Sequence, residues 1–492
     1  MTAAVQRLDY MDFSFSFSLS NKSRRKDIGM PDSSLPFQHS LAFRFRRFFN
    51  WFPLGLTYAF LYMGRYNLTV AKNALGNLMT KEQFGIIFAA GTITYAFAFL
   101  INGPLTDRVG GKRAILASAI GSAAMNVLMG VLTYFLLLGK LSINTAVIFS
   151  VIYAANMYFQ SFGAVAIVKV NAAWFHVRER GVFGGIFGVL ISLGLYFAFD
   201  WGYAIVLATQ AHVTVHLNFL QAFLRHILSI EGSTMDQTWW VFFMPAFILA
   251  VFFLLDLLIL RDRPGQAGFR DFDTGDASSG EEDKPFRLGE ILKRILTDRI
   301  IITIATIEFC TGILRNGIMH WYPIFSNEYL HLPPDHFLRE NWGLILMLAG
   351  VLGGLSAGIV SDKVFGSRRG PVAALLYGLM LVSTITMAFV LDLNPYVLGA
   401  IVMLMSLCVI GTHGVLSGTS TMDFGGRRAA GTAVGLIDGC VYLGTGVQSL
   451  SLGFLTTQNW HLWPPFLIPF AIFGLVQAIR IWYAYPKAKT RQ

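Results

Sequence analysis

The stretch Gly103-Pro104-Leu105-Thr106-Asp107-Arg108-Val109-Gly110-Gly111-Lys112-Arg113 lies between two long apolar runs, and it recurs. Gly358-Ile359-Val360-Ser361-Asp362-Lys363-Val364-Phe365-Gly366-Ser367-Arg368-Arg369 repeats its order: a glycine, an aspartate four residues on, a cation, a further glycine and a closing pair of basic residues. The second copy falls about half the chain after the first. A repeat on that scale between apolar runs means two homologous halves rather than a soluble solenoid.

Composition agrees. The chain has 492 residues, 54% hydrophobic and 13% charged, whereas soluble domains average about 25% charged. This is the composition of a polytopic membrane protein. Cys310, Cys408 and Cys440 all lie in apolar runs and read as small core residues, not a disulfide framework. A net charge of +10 would suggest nucleic acid in a soluble chain. Here the cations cluster in alternate loops, so membrane topology accounts for them and no nucleic-acid partner is implied. No apolar core precedes an A-x-A-like site in residues 1–45, so no cleavable signal peptide is expected. Residues 1–47 read as a disordered tail, with Met11 and Met30 as further candidate starts.

Twelve stretches can each cross ~30 Å of hydrocarbon: 49–73, 84–106, 114–138, 144–168, 182–206, 240–260, 299–324, 342–361, 371–391, 396–418, 431–456 and 462–484. The predicted fold class is an all-α membrane protein, twelve transmembrane helices in two pseudo-symmetric six-helix bundles. Residues 48–260 and 299–484 form the bundles, 261–298 the linker and 485–492 a short tail. Arg108, Lys112 and Arg113, then His176, Arg178 and Arg180, then Lys363, Arg368 and Arg369, then Arg427 and Arg428 occupy loops on one side. The positive-inside rule puts that side, with both termini and the linker, in the cytoplasm. The long half-apolar loop 207–239 on the other side suggests an extra amphipathic helix.

The repeated Gly-x-x-x-Asp-Arg/Lys-x-Gly-x-Lys/Arg loop resembles the signature loop of the major facilitator superfamily. A narrower set resembles its organophosphate:phosphate antiporter family: Tyr62-Met-Gly-Arg65-Tyr-Asn67, Arg178-Glu-Arg180-Gly181, Leu314-Arg315-Asn-Gly-Ile-Met-His-Trp321-Tyr-Pro323, and Asp423-Phe-Gly-Gly-Arg427-Arg-Ala-Ala-Gly431. These pieces are weak singly and specific together, and they span the chain after residue 48. The resemblance implies exchange of a sugar phosphate or glycerol phosphate for inorganic phosphate, by a monomer in a bacterial inner membrane. It also implies that the loops around Asp107, Arg108, Asp362 and Lys363 act as cytoplasmic gates.

Arg65 and Arg315 lie about 24 Å into the first and seventh spans, at matched depth in equivalent helices. A guanidinium in hydrocarbon costs from about 2.5 to more than 10 kcal/mol, so it lines a polar cavity, pairs with a carboxylate or snorkels. Two of them facing each other make a clamp for a phosphate dianion, since each planar fork donates two parallel hydrogen bonds. Tyr58, Tyr62 and Arg65 share one helix face. Tyr95 and Tyr442 match tyrosines of the family's pocket. Where glycerol-phosphate carriers of that family have a lysine and a histidine, this chain has Phe99 and Ile191.

Glu308 lies on the face of Arg315, about 10 Å nearer the cytoplasm, and Asp438 sits two turns into the eleventh span. Either is a candidate proton or salt-bridge site, so proton symport of an organic anion is a rival mechanism. A transporter-like membrane sensor of sugar phosphate is another. Asp256 is expected to snorkel, and His320 and His413 to be hydrogen-bonded core histidines. No nucleophile elbow, Walker loop or zinc motif is present in the sequence. Neither enzyme activity, a cofactor nor a metal is expected, and the energy must come from a gradient.

Overall fold

A computed structural model describes residues 39–141, 143–176, 180–212, 215–272, 297–366 and 368–484. The side chains of Asp107, 180–187 and 418–434 fall outside that description. So do most of the expected N-terminal tail, the middle of the linker, the C-terminal tail and Arg178. Contacts divide the chain after Arg44; apart from the first turn of α1, the helices belong to the unit from Phe45 onward.

The first half comprises α1 (Leu41–Leu75), α2 (Lys81–Val109), α3 (Gly111–Leu137) and α4 (Thr145–Trp174). A composite fifth span comes next: α5 (Arg180–Tyr196), a π-helical turn at Phe197–Trp201, and α6 (Gly202–Ala208). Then come a short α7 (Phe219–Ile227) and α8 (Trp240–Ile259). In the second half, α9 (Arg299–Met319) and α10 (Trp321–Glu328) break at His320, and the single turn α11 (Phe337–Glu340) leads to α12 (Trp342–Lys363). α13 (Arg369–Val390) and α14 (Pro395–His413) are succeeded by a π-helical stretch, Gly414–Ser420. α15 (Thr421–Gln458) and α16 (Trp463–Arg480) close the chain.

Local sequence sets these limits. Thr80 and Gln83 form a capping box at the start of α2, and Asn218 and Gln221 do so for α7. Asn394 caps α14 just ahead of Pro395, and Asp298 caps α9. The glycine of the repeated loop has a backbone reason. Gly110 (φ +91°) ends α2 and begins α3 at once, and Gly366 has φ +58°, conformations that a Cβ disfavours. Asp262, at the start of the linker, accepts from the Lys112 N–H at 2.7 Å, and so occupies the α3 N-terminus.

Among the described residues ten helical segments are long and apolar enough to cross a membrane. The remaining two of the twelve expected spans are α1 and α15. α1 carries Arg65, Asn67, Lys72 and three tyrosines, Tyr58, Tyr62 and Tyr66, along its length, and from Leu54 to Ala71 nearly every residue is buried in protein. A helix surrounded by helices needs no lipid-facing apolar surface, which is why hydropathy passes over it.

Three expectations are corrected. α1 begins at Leu41, inside the stretch read as tail, and α15 begins ten residues before the stretch assigned to it. Asp256 does not snorkel: it is fully buried and accepts from Thr57 Oγ1 at 2.7 Å. The 207–239 loop does hold a helix, α7, pinned by Arg225 donating to the Ala208 and Gln210 carbonyls.

Helices α9 and α15 cross with backbone against backbone. A Cβ on Gly312 would stand 2.0 Å from the Val441 carbonyl oxygen, and one on Gly444 2.1 Å from that of Phe309. Small residues permit such approach between membrane helices. Gly312→Ala is therefore expected to cost about 1–3 kcal/mol, read as a lowered thermal midpoint in detergent. Gly354→Ala, where a Cβ meets open space, should leave the midpoint unchanged.

Candidate functional site

The site is built on α1. Its Gly64 carbonyl accepts from Asn126 of α3 at 3.1 Å and Asn156 of α4 at 2.9 Å, and the Arg65 carbonyl accepts from Tyr153 at 2.9 Å. Asn67 donates to Asn126 Oδ1 at 2.7 Å. These amide bonds fix α1 in rotation and depth, because an unmade bond there would leave a buried polar group unsatisfied.

So held, Arg65 is fully buried in the interior. Its Nε donates to Gln160 Oε1 at 2.8 Å, and its terminal nitrogens donate to the hydroxyls of Tyr442 at 2.8 Å and Tyr95 at 3.1 Å. The guanidinium carbon lies 4.7 Å from the ring centres of both Tyr62 and Tyr95, and within 6 Å of Tyr66 and Tyr442. Aromatic faces of this kind stabilise a cation by about 0.5–2 kcal/mol each. Tyr58 packs edge-on behind Tyr62 at 5.4 Å.

Arg315 of α9 is 8% exposed, and Tyr62, Tyr66 and Tyr442 lie within electrostatic reach of it as they do of Arg65. Each arginine thus meets tyrosines contributed by the opposite half. A small cavity adjoins Arg315, lined by Leu195, Met319, Leu346, Ser406, Val409 and Ile410. Neither guanidinium has a carboxylate in salt-bridge range among the described residues. Among the described residues Arg65 meets neutral oxygens and rings and Arg315 Nε has no hydrogen-bond partner, so both cations hold unspent positive charge, and an oxyanion is the chemistry that would satisfy both.

The acidic candidates sit apart. Glu308 is fully buried and paired with His413 of α14, Oε2 to Nδ1 at 2.9 Å, while its Oε1 has no hydrogen-bond partner. Asp438 accepts from Ser417 of the π-helical stretch. Of the loop residues, Asp362 pairs with Arg369 of α13 at 2.9 Å, a contact within one half; Arg108 and Lys363 are exposed. Phe99 lies 4.6 Å from Tyr95 and 6.2 Å from Tyr442, ring to ring.

The ties between the halves away from these loops are dense. Glu328 of α10 binds Lys72 at 2.7 Å and Lys81 at 3.4 Å, Lys81 also donates to the Thr456 carbonyl, and Thr69 bonds to His320 at 2.7 Å. Asp200 accepts from the backbone N–H groups of Gly343 and Leu344 at the start of α12.

The structure brings Arg65, Tyr62, Tyr95 and Tyr442 into direct contact, with Tyr58 one ring behind and Arg315 across the same tyrosines. Sequence reading missed Gln160, Asn126, Asn156 and Tyr66. A signal was present: Asn156 and Gln160 are amides four residues apart in an apolar run, and polar side chains at membrane depth need partners.

Fold and site together define a multi-pass membrane transport protein. Residues 54–449 match the Major Facilitator Superfamily, and the chain belongs to it. Similar proteins include the Glycerol-3-phosphate transporter of Bacillus subtilis, 24% identical over 88% of this chain and 91% of that one. Membrane sensor protein UhpC of Salmonella typhimurium is 23% identical (87% and 88%), and the Probable hexose phosphate transport protein of Chlamydia trachomatis 23% (90% and 91%). These relatives are consistent with the organophosphate:phosphate antiporter family. A bacterial homolog of the human lysosomal transporter Spinster, inward-facing and unoccupied, shares the fold with a TM-score of 0.70 at 15% identity, over 92% of this chain and 100% of that one.

Gln160→Glu would put a carboxylate on Arg65 Nε and satisfy internally the charge that now waits for an anion. It is expected to weaken oxyanion binding at least tenfold, by equilibrium dialysis with labelled phosphate, while the thermal midpoint stays level or rises.

Proposed function

We propose that the protein is a secondary antiporter exchanging a phosphorylated small metabolite, a sugar or glycerol phosphate, for inorganic phosphate. The observation that carries this reading is the pair of buried arginines, one from each half, sharing tyrosines and with no carboxylate in salt-bridge range among the described residues. In it Arg65 and Arg315 grip the phosphoryl group, and Tyr58, Tyr62, Tyr95 and Tyr442 narrow the pocket. The similarity to a glycerol-3-phosphate transporter and to a probable hexose phosphate transport protein supports the substrate class. Phe99 against Tyr95 and Tyr442 supports an organic moiety held by shape rather than by a further cation.

The six-helix halves, 48–260 and 299–484, rock about this site, joined by 261–298. The protein sits as a monomer in the bacterial inner membrane with its termini and the basic loops around Asp107 and Asp362 in the cytoplasm. The Lys72–Glu328–Lys81 cluster is then the outer closure, and this conformation is closed at that end.

The test is counterflow of labelled phosphate in proteoliposomes against a panel of phosphorylated sugars and glycerol phosphate. Wild type should exchange; Arg65→Lys and Arg315→Lys should each lose at least a hundredfold while inserting normally. Wild-type-like exchange by the double lysine variant would refute the clamp, and negligible flux by wild type would favour a sensor.

Lys72 keeps only 2% of its side chain exposed, so removing its partner strands a buried cation, at a cost of about 3–5 kcal/mol. Glu328→Gln should therefore open the outer end, read as faster labelling of a cysteine placed at Thr69 by an impermeant thiol reagent.

A further inference from the structure

The Glu308–His413–Asp438 cluster has no part in the phosphate clamp, and its geometry is that of an oriented, titratable group beside an anion site. Glu308 Oε2 holds the imidazole at Nδ1, 2.9 Å away, which leaves Nε2 as the site for an added proton; Nε2 has no hydrogen-bond partner among the described residues. The imidazole keeps 26% of its side-chain surface exposed, whereas Glu308 keeps none. A carboxylate behind a histidine fixes its tautomer and stabilises the imidazolium.

The surroundings link this group to the arginines. Glu308 and Arg315 face His413 from α9, and Asp438 faces it from α15. Around Glu308 stand Tyr377 of α13, Cys310 and Cys440. Val409 and Ile410, which line the cavity at Arg315, are one helical turn from His413.

Charge does the rest. Glu308 and Asp438 bond to His413 and Ser417 rather than to the arginines. A phosphate dianion at Arg315 and a proton on His413 carry opposite charge, and attraction between charges in that low-dielectric space is several-fold stronger than in water.

We propose that this cluster is a proton-binding site coupled to the anion site: His413 Nε2 takes up one proton from solvent as a phosphate dianion binds Arg315, and releases it as the dianion leaves. The inference rests on the proposed phosphate clamp. By linkage the proton tightens phosphate by the factor by which phosphate tightens the proton. Affinity then rises on acidification by up to about tenfold per pH unit, the limit for one proton. No covalent bond changes apart from the N–H bond itself; the proton moves between solvent and nitrogen.

The experiment adds inorganic phosphate to the purified full-length protein in weakly buffered detergent. A pH indicator reads proton uptake, and equilibrium dialysis across pH 5.5–8.5 reads phosphate affinity. Both are compared, at equal occupancy, for wild type, His413→Asn and Glu308→Gln. Free phosphate's own protonation is common to all three and cancels. The expected result is roughly one proton per phosphate more in wild type than in His413→Asn, with a flatter affinity profile in that variant and a displaced one in Glu308→Gln. Equal uptake and superposed profiles would overturn the proton site while leaving the clamp standing. Loss of phosphate binding at every pH in both folded variants would assign the cluster to the anion site itself and also overturn it. Failure of wild type to bind phosphate would overturn clamp and coupling together.

Discussion

Everything in this molecule turns on the burial of two guanidinium groups with no carboxylate in salt-bridge range among the described residues. Positive charge withdrawn from water is tolerated only where hydrogen-bond acceptors are placed for it in advance. For Arg65 those acceptors are Gln160, Tyr95 and Tyr442, in three different helices. The amide network on the Gly64 carbonyl is the scaffold that makes the placement hold. The tyrosines solve a second problem: their ring faces and hydroxyls stabilise a cation while remaining neutral, so the charge stays available to a ligand.

Between the halves, α2 and α15 pack closely, with Gly85 against Ser449, Gly446 against Ile93 and Gly439 against Ala96. Lys72, Lys81, Glu328, Thr69, His320 and Asp200 tie the halves together on the side of the site away from the repeated loops. On the other side the described contacts of the loops are local: Asp362 with Arg369, and Lys112 with Asp262. One π-helical stretch, Phe197–Trp201, contains Asp200, and the other, Gly414–Ser420, contains Ser417, which donates to Asp438. Such irregular turns within helices commonly mark functional segments.

Legibility in the sequence tracked range. The repeated loop and the apolar periods were readable because each is local: a positive φ calls for Gly110 and Gly366, and a span calls for about twenty apolar residues. Arg65 and Arg315 stood out because a cation in an apolar run is costly wherever it points. The helix limits of α1 and α15 were misjudged because both depart from lipid-facing composition where protein surrounds them or where glycines carry them past a neighbour. Asp256 was misjudged because Thr57, almost two hundred residues earlier in the chain, supplies its hydrogen bond.

The chain on its own determined the number of spans, their division into related halves, the side on which the basic loops gather, and which side chains bear charge at membrane depth. These depend on composition and on spacing along one strand of covalent bonds. Only the tertiary structure decided that Glu308 pairs with His413 and not with Arg315, that Gln160 rather than an acid meets Arg65, and that tyrosines from both halves close around one centre. Such pairings are chosen by helix rotation and by backbone approach at glycines such as Gly312 and Gly444. A few tens of degrees of rotation exchanges one partner for another without altering a single residue.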